Sequence, residues 1–156
     1  MADSKLADIR LRTAEASDAP AVARVLRRSL DSLHWMPKLH TPDEDLAFIR
    51  ETVLPQQAVT VAEAGGEIVG FAAVHEGWIN LLYLHPDWTG RGIGSRLLEQ
   101  ATVEAGETKL YCFQTNAGAR RFYERHGFRA LAFSGGSGNE EGLPDVLYVR
   151  TGGISR

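Results

Sequence analysis

The stretch Trp88-Thr89-Gly90-Arg91-Gly92-Ile93-Gly94-Ser95 decides the fold, because three alternating glycines stand between two segments rich in apolar residues. Glycine has no Cβ atom, so its backbone can approach a ligand closely and adopt tight turns. The residues that follow have apolar side chains at helical spacing, which predicts a helix. A helix start presents unpaired amide groups and binds phosphate. We therefore predict an anion-binding turn that opens a helix.

The same turn has competing explanations. Glycine clusters are common in connections, so a plain link between a strand and a helix would have a similar sequence. A Walker A loop needs a Gly-Lys dipeptide, and the chain contains none. A Rossmann fingerprint that starts at Gly90 needs glycine or alanine where Ser95 stands, and an acidic residue about twenty positions later. These requirements exclude the Walker route to nucleotide hydrolysis and disfavour dinucleotide binding.

The segments around the turn predict strands and helices in alternation. Gly65-Gly66 suits a tight hairpin, and the nearly continuous apolar run 78–84 suits a central strand covered on both faces. Strands are predicted at 9–12, 59–63, 68–74, 78–84, 110–113, 130–133 and 146–149, and helices at 17–33, 41–55, 92–105 and 119–126. A strand, a helix and a strand in the middle make a parallel crossover, so we expect one sheet flanked by helices.

Composition limits the classes of function. The 156 residues suit one domain, 1–156, and 44% apolar with 24% charged residues is typical of globular proteins. A net charge of −3 argues against nucleic acid as a partner. Cys112 is the only cysteine, which excludes an internal disulfide and a cysteine-based metal site. Residues 1–8 lack a secretory h-region and no apolar run could span a membrane, so we expect a cytoplasmic protein with no membrane partner.

Two motifs together resemble the GNAT superfamily of acyl-CoA-dependent N-acyltransferases. Residues 89–94 match the family pattern Gln/Arg-x-x-Gly-x-Gly/Ala except at Thr89, and 116–128 match Asn-x-x-Ala-x-x-Phe-Tyr-Glu-x-x-Gly-Phe. Both occur in the order that the family shows. The resemblance implies an α/β (α+β) fold: a mixed, mostly antiparallel central sheet of about seven strands, about four flanking helices, and splayed central parallel strands.

The resemblance implies acetyl-CoA as the co-substrate, with no metal. Free backbone groups of the fourth strand would pair with the pantetheine arm, and the amides of 91–96 would cradle the pyrophosphate. Thr89 replaces the usual Arg or Gln, which removes a side-chain contact. The cofactor-binding residues expected on this basis are Leu82, Tyr83, Leu84, Gly90, Arg91, Gly92, Ile93, Gly94, Ser95, Arg96, Asn116 and Tyr123.

The same motifs imply catalytic roles. Tyr123 matches the tyrosine that acts as general acid toward the departing thiolate in many members, although adjacent aromatic residues are also common in helix cores. We expect Phe122 to be the member of this pair that packs inward. Asn116 has two compatible roles, cofactor orientation and helix capping. No general base is evident, which leaves Asn80, as a holder of water, and Glu76 as the candidates.

The acceptor side is predicted least sharply. The resemblance places it between the first two helices and the loop before the last strand, which nominates Trp35, His40 and Glu141, although packing or surface roles also suit them. Residues 134–142 have the composition of a flexible loop, and 139–141 that of a solvated turn.

The function expected from these features is transfer of an acetyl group from acetyl-CoA to a primary amine of a small molecule, directly and with Tyr123 as acid. The alternatives are a non-catalytic acyl-CoA-binding or sensing domain and a protein-interaction module. A homodimer would be an ordinary assembly for the family.

Overall fold

The computed structural model describes residues 8–102 and 106–151. Within these residues seven strands and four principal helices follow the predicted order. They are β1 (Ile9–Thr13), α1 (Ala19–Asp31), α2 (Pro42–Phe48), β2 (Ala58–Ala64), β3 (Glu67–His75), β4 (Trp78–Leu84), α3 (Ile93–Thr102), β5 (Glu107–Phe113), α4 (Ala117–Arg125), β6 (Arg129–Ser134) and β7 (Asp145–Thr151). A π-helical turn, Ile49–Val53, and a last turn, Leu54–Gln56, continue α2.

The seven strands form one sheet in the order β1-β2-β3-β4-β5-β7-β6. All neighbouring strands are antiparallel except β4 and β5, which the α3 crossover makes parallel. The predicted mixed, mostly antiparallel sheet with a central parallel pair is therefore confirmed. The central position of β4 is confirmed as well.

The strands β4 and β5 separate almost at once. Among the described residues, Trp78 and Lys109 are the only pair in register between them. On the other edge of β4, the register with β3 shifts so that Ala73 pairs with Leu81 and Val74 with Ile79, which leaves Asn80 as an extra residue. Such a bulge bends its strand. The backbone of β4 beyond Trp78 consequently has no strand partner on the side of β5.

The local sequence explains where the first two helices begin and end. Thr41 and Glu44 form the predicted capping box, with each side chain bonded to the other residue's backbone amide. Helix α1 ends at Asp31, two residues before the predicted end, where the Ser32 hydroxyl donates to the carbonyl of Ser29. A side-chain bond of this kind competes with continued helix. Of the predicted extent of α3, residues 103–105 lie outside the described residues.

Helices cover the sheet on both faces. The core on one face joins Val22 and Val25 of α1 to Phe71 of β3. On the other face, α3 packs over the strands through Leu97, and α4 contributes Tyr123. The strand β4 is buried less completely than predicted, because its C-terminal residues border a cavity.

Candidate active site

A cavity of about 620 Å³ lies where β4 leaves β5, between α3 and α4. Most of the predicted cofactor-binding residues border it, namely Leu82, Tyr83, Leu84, Gly90, Gly92, Gly94, Ser95, Asn116 and Tyr123. Sequence analysis missed other lining residues, which are Ser29 and Ser32 near the end of α1 and Phe122 and Arg125 of α4. The residues of α1 carry no motif, and only the folded chain brings them to this cavity.

The glycine turn forms one end of the cavity. Gly90 and Gly92 have φ angles of 75° and 85°, a region that disfavours residues with a Cβ atom. Helix α3 begins at Ile93, so the amides of Ile93, Gly94 and Ser95 lie in its first turn, where no intrahelical carbonyl is available. These three amides have the arrangement expected of an anion cradle.

Three predicted members of the cofactor site do not border the cavity. The amide of Arg96 already donates to the carbonyl of Gly92, and its guanidinium donates to the carbonyl of Ile9. The Arg91 guanidinium lies over the ring of Trp88, 4.9 Å from its centre. The side chain of Ile93 is buried in the core. The predicted cradle therefore extended one residue too far, to Arg96, whose amide makes the first hydrogen bond of the helix.

A serine–histidine pair stands beside the cradle. Ser95 Oγ lies 2.9 Å from His126 Nε2, and His126 Nδ1 lies 2.8 Å from the carbonyl oxygen of Phe122. Because a carbonyl only accepts, Nδ1 carries a proton, and a neutral ring then accepts the Ser95 hydroxyl proton at Nε2. No local pattern connects two residues 31 positions apart, so sequence analysis did not find this pair.

Tyr123 is the buried residue of α4, with 9% of its surface exposed. Its ring packs against Phe128 and Tyr148. Burial raises the pKa of Tyr123, and no hydrogen-bond partner among the described residues approaches its hydroxyl. The prediction that Phe122 is the inward member of the pair was wrong, because Phe128 and Tyr148 surround Tyr123. Phe122 instead stays half-buried in the cavity wall beside Gly94.

Asn116 precedes α4 and caps it. Its Oδ1 accepts the amide proton of Ala119 at 3.1 Å. The residue also borders the cavity, so capping and contact with a ligand are compatible in space.

The candidates for a general base lie elsewhere. Asn80 donates from Nδ2 to Gln57 Oε1 at 3.0 Å and does not border the cavity. Glu76 lies in the β3–β4 turn, before the start of β4, whereas the cavity borders the end of that strand. Its side chain is 80% exposed and faces His75. The structure brings neither residue to the cavity.

None of the three acceptor candidates, Trp35, His40 and Glu141, borders the large cavity. Trp35 packs edge-on against Phe113, with ring centres 5.8 Å apart. His40 Nε2 lies 3.1 Å from a carboxylate oxygen of Glu140, which connects the α1–α2 loop to the β6–β7 loop. Burial, and less strongly the carboxylate of Glu141, raises the pKa of Tyr83, a residue of the cavity wall, to about 12.

Side-chain hydrogen bonds fold the loop between β6 and β7, and the predicted solvated turn is present at Glu140, whose side chain is 60% exposed. The side chain of Asn139 donates to the carbonyl of Leu143 and accepts from its amide. It also donates to the carboxylate of Asp145. These bonds close residues 139–145 into a compact turn.

Comparison with known proteins assigns the family. Residues 55–130 match the model of an acetyltransferase (GNAT) domain. Over 101 residues, the chain is 37% identical to an uncharacterized N-acetyltransferase of Archaeoglobus fulgidus, in a match that covers 54% of this chain and 68% of the relative. The chain belongs to the GNAT family of N-acetyltransferases. It is therefore an acyltransferase with acetyl-CoA as acetyl donor, and this supports the enzyme over the alternative of a non-catalytic acyl-CoA-binding domain.

Two further matches agree with this GNAT assignment. The chain is 27% identical over 128 residues to the peptidyl-lysine N-acetyltransferase YjaB of Salmonella typhimurium. That match covers 81% of this chain and 87% of the relative. Among solved structures, yncA from Salmonella typhimurium, solved with its cofactor acetyl-CoA, has a TM-score of 0.71 at 21% identity and covers 92% of this chain and 94% of its own. The latter match shows a shared fold.

The described part of this GNAT enzyme contains neither a membrane-spanning helix nor a cluster of metal ligands. Within 8–102 and 106–151, no helix is long and apolar enough to cross a membrane, and no three His, Cys, Asp or Glu residues cluster as metal ligands would. The cytoplasmic location and the homodimer stay predictions.

Proposed function

We propose that the enzyme transfers the acetyl group directly from acetyl-CoA to a primary amine of a small molecule, with Tyr123 as the general acid. The observation that carries this proposal is the position of Tyr123. Tyr123 borders the cavity at the β4–β5 separation, and its hydroxyl is not engaged by any described residue.

The residues around the cavity fit acetyl-CoA. The amides of Ile93, Gly94 and Ser95 offer hydrogen bonds to a pyrophosphate, supported by the positive end of the α3 dipole. The unpaired backbone edge of Leu82–Leu84 offers donors and acceptors to the amide groups of pantetheine. When bound, acetyl-CoA supplies an activated acetyl thioester. The backbone of β4 would orient it and polarise its carbonyl.

Direct transfer is favoured over an acetyl-cysteine route. Cys112, the single cysteine, lies on β5 beside the separation of the strands and packs in the same cluster as Tyr123. Burial raises the pKa of Cys112 to about 11. Because the thiolate is the nucleophilic form, a thiol that stays protonated near neutral pH is a poor acceptor of an acetyl group.

Tyr123 suits the role of proton donor. Since burial raises its pKa, the phenol keeps its proton at neutral pH and can give it to the sulfur as the carbon–sulfur bond breaks. The amine loses one proton as its nitrogen–carbon bond forms, and return of that proton through water restores the phenol. The reaction is balanced, because the sulfur gains the proton that the nitrogen loses.

The acceptor is proposed as a small molecule on the basis of space. A second cavity, of about 470 Å³, borders β5 and the β6–β7 loop, and the contact between His40 and Glu140 joins two loops close to it. The relative named as a peptidyl-lysine acetyltransferase makes lysine in a peptide the acceptor to compare. A panel of amines should therefore include a short lysine peptide.

The test measures release of free thiol from acetyl-CoA in the presence of that panel. Replacement of Tyr123 by Phe should lower kcat by about 100-fold or more, while the Kd for acetyl-CoA stays unchanged. Tyr148→Phe is the matched control, because Tyr148 is a neighbouring buried tyrosine whose hydroxyl donates to Glu124 instead. We expect that variant to melt earlier and to keep its kcat.

Two results would contradict the proposal. An unchanged kcat in Tyr123→Phe across the pH range would show that Tyr123 is not the general acid. Transfer to the lysine peptide with no transfer to any small amine would show that the acceptor is not a small molecule.

A further inference from the structure

The second cavity lies on the face of the sheet opposite to α4. It is lined by Tyr111 and Phe113 of β5 and by Ser134, Ser137, Asn139 and Asp145 around the β6–β7 loop. Leu110 and Cys112 pack in one cluster with Tyr123 of α4. Because successive residues of a strand point to opposite faces, Tyr111 and Phe113 point away from α4.

Aromatic rings form the floor of this groove. Trp78 stacks on Tyr111, with ring centres 5.4 Å apart and planes 17° from parallel. Tyr111 is nevertheless 61% exposed. The stack therefore fixes the orientation of the Tyr111 ring and leaves much of the ring open to a ligand. Phe113 follows on the same face and is held edge-on by Trp35.

The wall of the groove carries one carboxylate, that of Asp145. The loop that forms the wall, residues 134–145, also includes Glu140 and Glu141 and contains no Lys, Arg or His. Asp145 is fixed in place, since its carboxylate accepts from Ser134 Oγ and Asn139 Nδ2. A negative wall over an aromatic floor raises the local concentration of a cation that carries an apolar body.

The floor of the groove is joined to the border of the large cavity. Phe113 follows Lys109 by four residues on β5, as Leu82, which borders the large cavity, follows its partner Trp78 on β4. Leu33 borders the large cavity as well, and Trp35, two residues later, packs on Phe113. The Trp35–Phe113 contact therefore links the floor of the groove to the chain segment that borders the large cavity.

We infer that the acceptor is a primary amine joined to an aromatic ring by a linker of about two carbons, with its ring on Tyr111 and its nitrogen beside Phe113. The inference rests on the proposed function. The spacing sets the scale of the linker, because two residues along a strand span roughly 6.6 Å, and the ring centre and nitrogen of an extended amine with two or three linking carbons are about 5 to 6 Å apart. Tyr111 is then a specificity-determining residue.

Steady-state kinetics with two amines of matched size tests the inference. 2-Phenylethylamine should have a lower KM than 2-cyclohexylethylamine, because only the former has a planar ring to stack. Tyr111→Ala should raise the KM for 2-phenylethylamine by about tenfold and leave the KM for acetyl-CoA unchanged, and Tyr111→Phe should keep the low KM.

Phe133→Ala is the matched control. Phe133 is a phenylalanine of β6 that is 59% exposed, and the guanidinium of Arg120, on α4, lies over its ring, which places it on the other face of the sheet. Its KM values should equal those of the unmodified enzyme. Equal KM values for the two amines, or equal effects of Tyr111→Ala and Phe133→Ala, would overturn the inference. An unchanged KM in Tyr111→Ala together with a lost dimer in sedimentation would also overturn it, because this face would then cover a second copy.

Direct binding separates this inference from the proposed function. Titration of 2-phenylethylamine into the protein, followed by calorimetry, needs no acetyl transfer. Binding that Tyr111→Ala weakens, without release of thiol from acetyl-CoA, would support the groove and contradict the proposed reaction. Release of thiol with aliphatic amines, without binding of the aromatic amine, would support the proposed reaction and contradict the groove as the site of an aromatic acceptor.

Discussion

The two sides of the gap between β4 and β5 are built from different parts of the polypeptide. On the cofactor side, backbone groups dominate: left-handed glycines, the first amides of α3 and the unpaired edge of β4. On the acceptor side, side chains dominate, with aromatic rings on β5 and carboxylates on the β6–β7 loop.

The two kinds of site respond differently to substitution. A backbone cradle depends on glycine and on where a helix begins, so many side chains can vary around it. A groove lined by side chains changes with each substitution. Membership of the GNAT family therefore identifies the acetyl donor and does not name the acceptor.

The largest effect should come from the ion pair that holds the helices of the acceptor side together. Arg27 of α1 contacts the carboxylate of Asp45 on α2 through two nitrogens, at 2.6 and 2.8 Å, and Asp45 is only 4% exposed. Asp45→Ala should lower the free energy of unfolding by about 3 kcal/mol, because the guanidinium loses its buried partner. Urea unfolding measures this change.

Asp31→Ala is the control for that prediction, since Asp31 is the exposed partner of the same arginine. Its cost should stay below about 1 kcal/mol. Equal losses in the two variants would mean that the Arg27–Asp45 pair does not hold the acceptor-side helices.

A smaller effect, confined to the cofactor side, should follow from Gly92→Ala. A Cβ atom at Gly92 would meet nothing within 4 Å, so its cost lies in the φ angle of 85°. Relief of that strain, roughly 1–2 kcal/mol, would turn the amides of the cradle away from their alignment. We expect calorimetry to show an affinity for CoA about tenfold weaker.

Gly65→Ala imposes a similar strain in the β2–β3 hairpin, where φ is 60° and the space is also open. That variant should lose stability and keep its affinity for CoA. A weaker affinity in both variants would show that strain anywhere in the fold disturbs the cradle.

Much of the backbone-built side could be predicted because its determinants are local. The capping box at Thr41, the hairpin at Gly65-Gly66 and the turn at Gly90 each depend on neighbours in the chain. The element order and the cofactor turn followed from such signals. The end of the cradle at Ser95 did not, because it depends on the first helical hydrogen bond.

The side-chain-built features could not be predicted, because they depend on which distant residues meet. Phe122 and Tyr123 both fit the apolar stripe of one helix, and only the positions of Phe128 and Tyr148 decide which of them is buried. Asn80 was predicted to hold catalytic water, whereas in the folded chain its side chain donates to Gln57. The stack of Trp78 on Tyr111 also joins residues that are far apart in the sequence, so it could not be predicted.

The smallest effect concerns the contact that joins the two loops of the acceptor side. The hydrogen bond with Glu140 raises the pKa of His40 above its ordinary value of 6.5. Because the folded pKa is the higher one, the contact is fully stabilising below the unfolded pKa and is lost as the pH rises through the folded pKa. The loops should therefore be held together more firmly in mildly acidic solution.

Titration of the His40 ring signals by NMR measures this effect. Glu140→Gln should lower the pKa of His40, because the charged partner at 3.1 Å is lost. Glu44→Gln is the control: its carboxylate lies farther away, 3.6 Å from Nδ1, and glutamine can preserve the capping box. If the pKa of His40 falls as much in Glu44→Gln as in Glu140→Gln, then the contact with Glu44 of α2 contributes as much to that pKa as the contact with Glu140. The raised pKa would then no longer single out the cross-loop contact that distinguishes the acceptor side from the cofactor side.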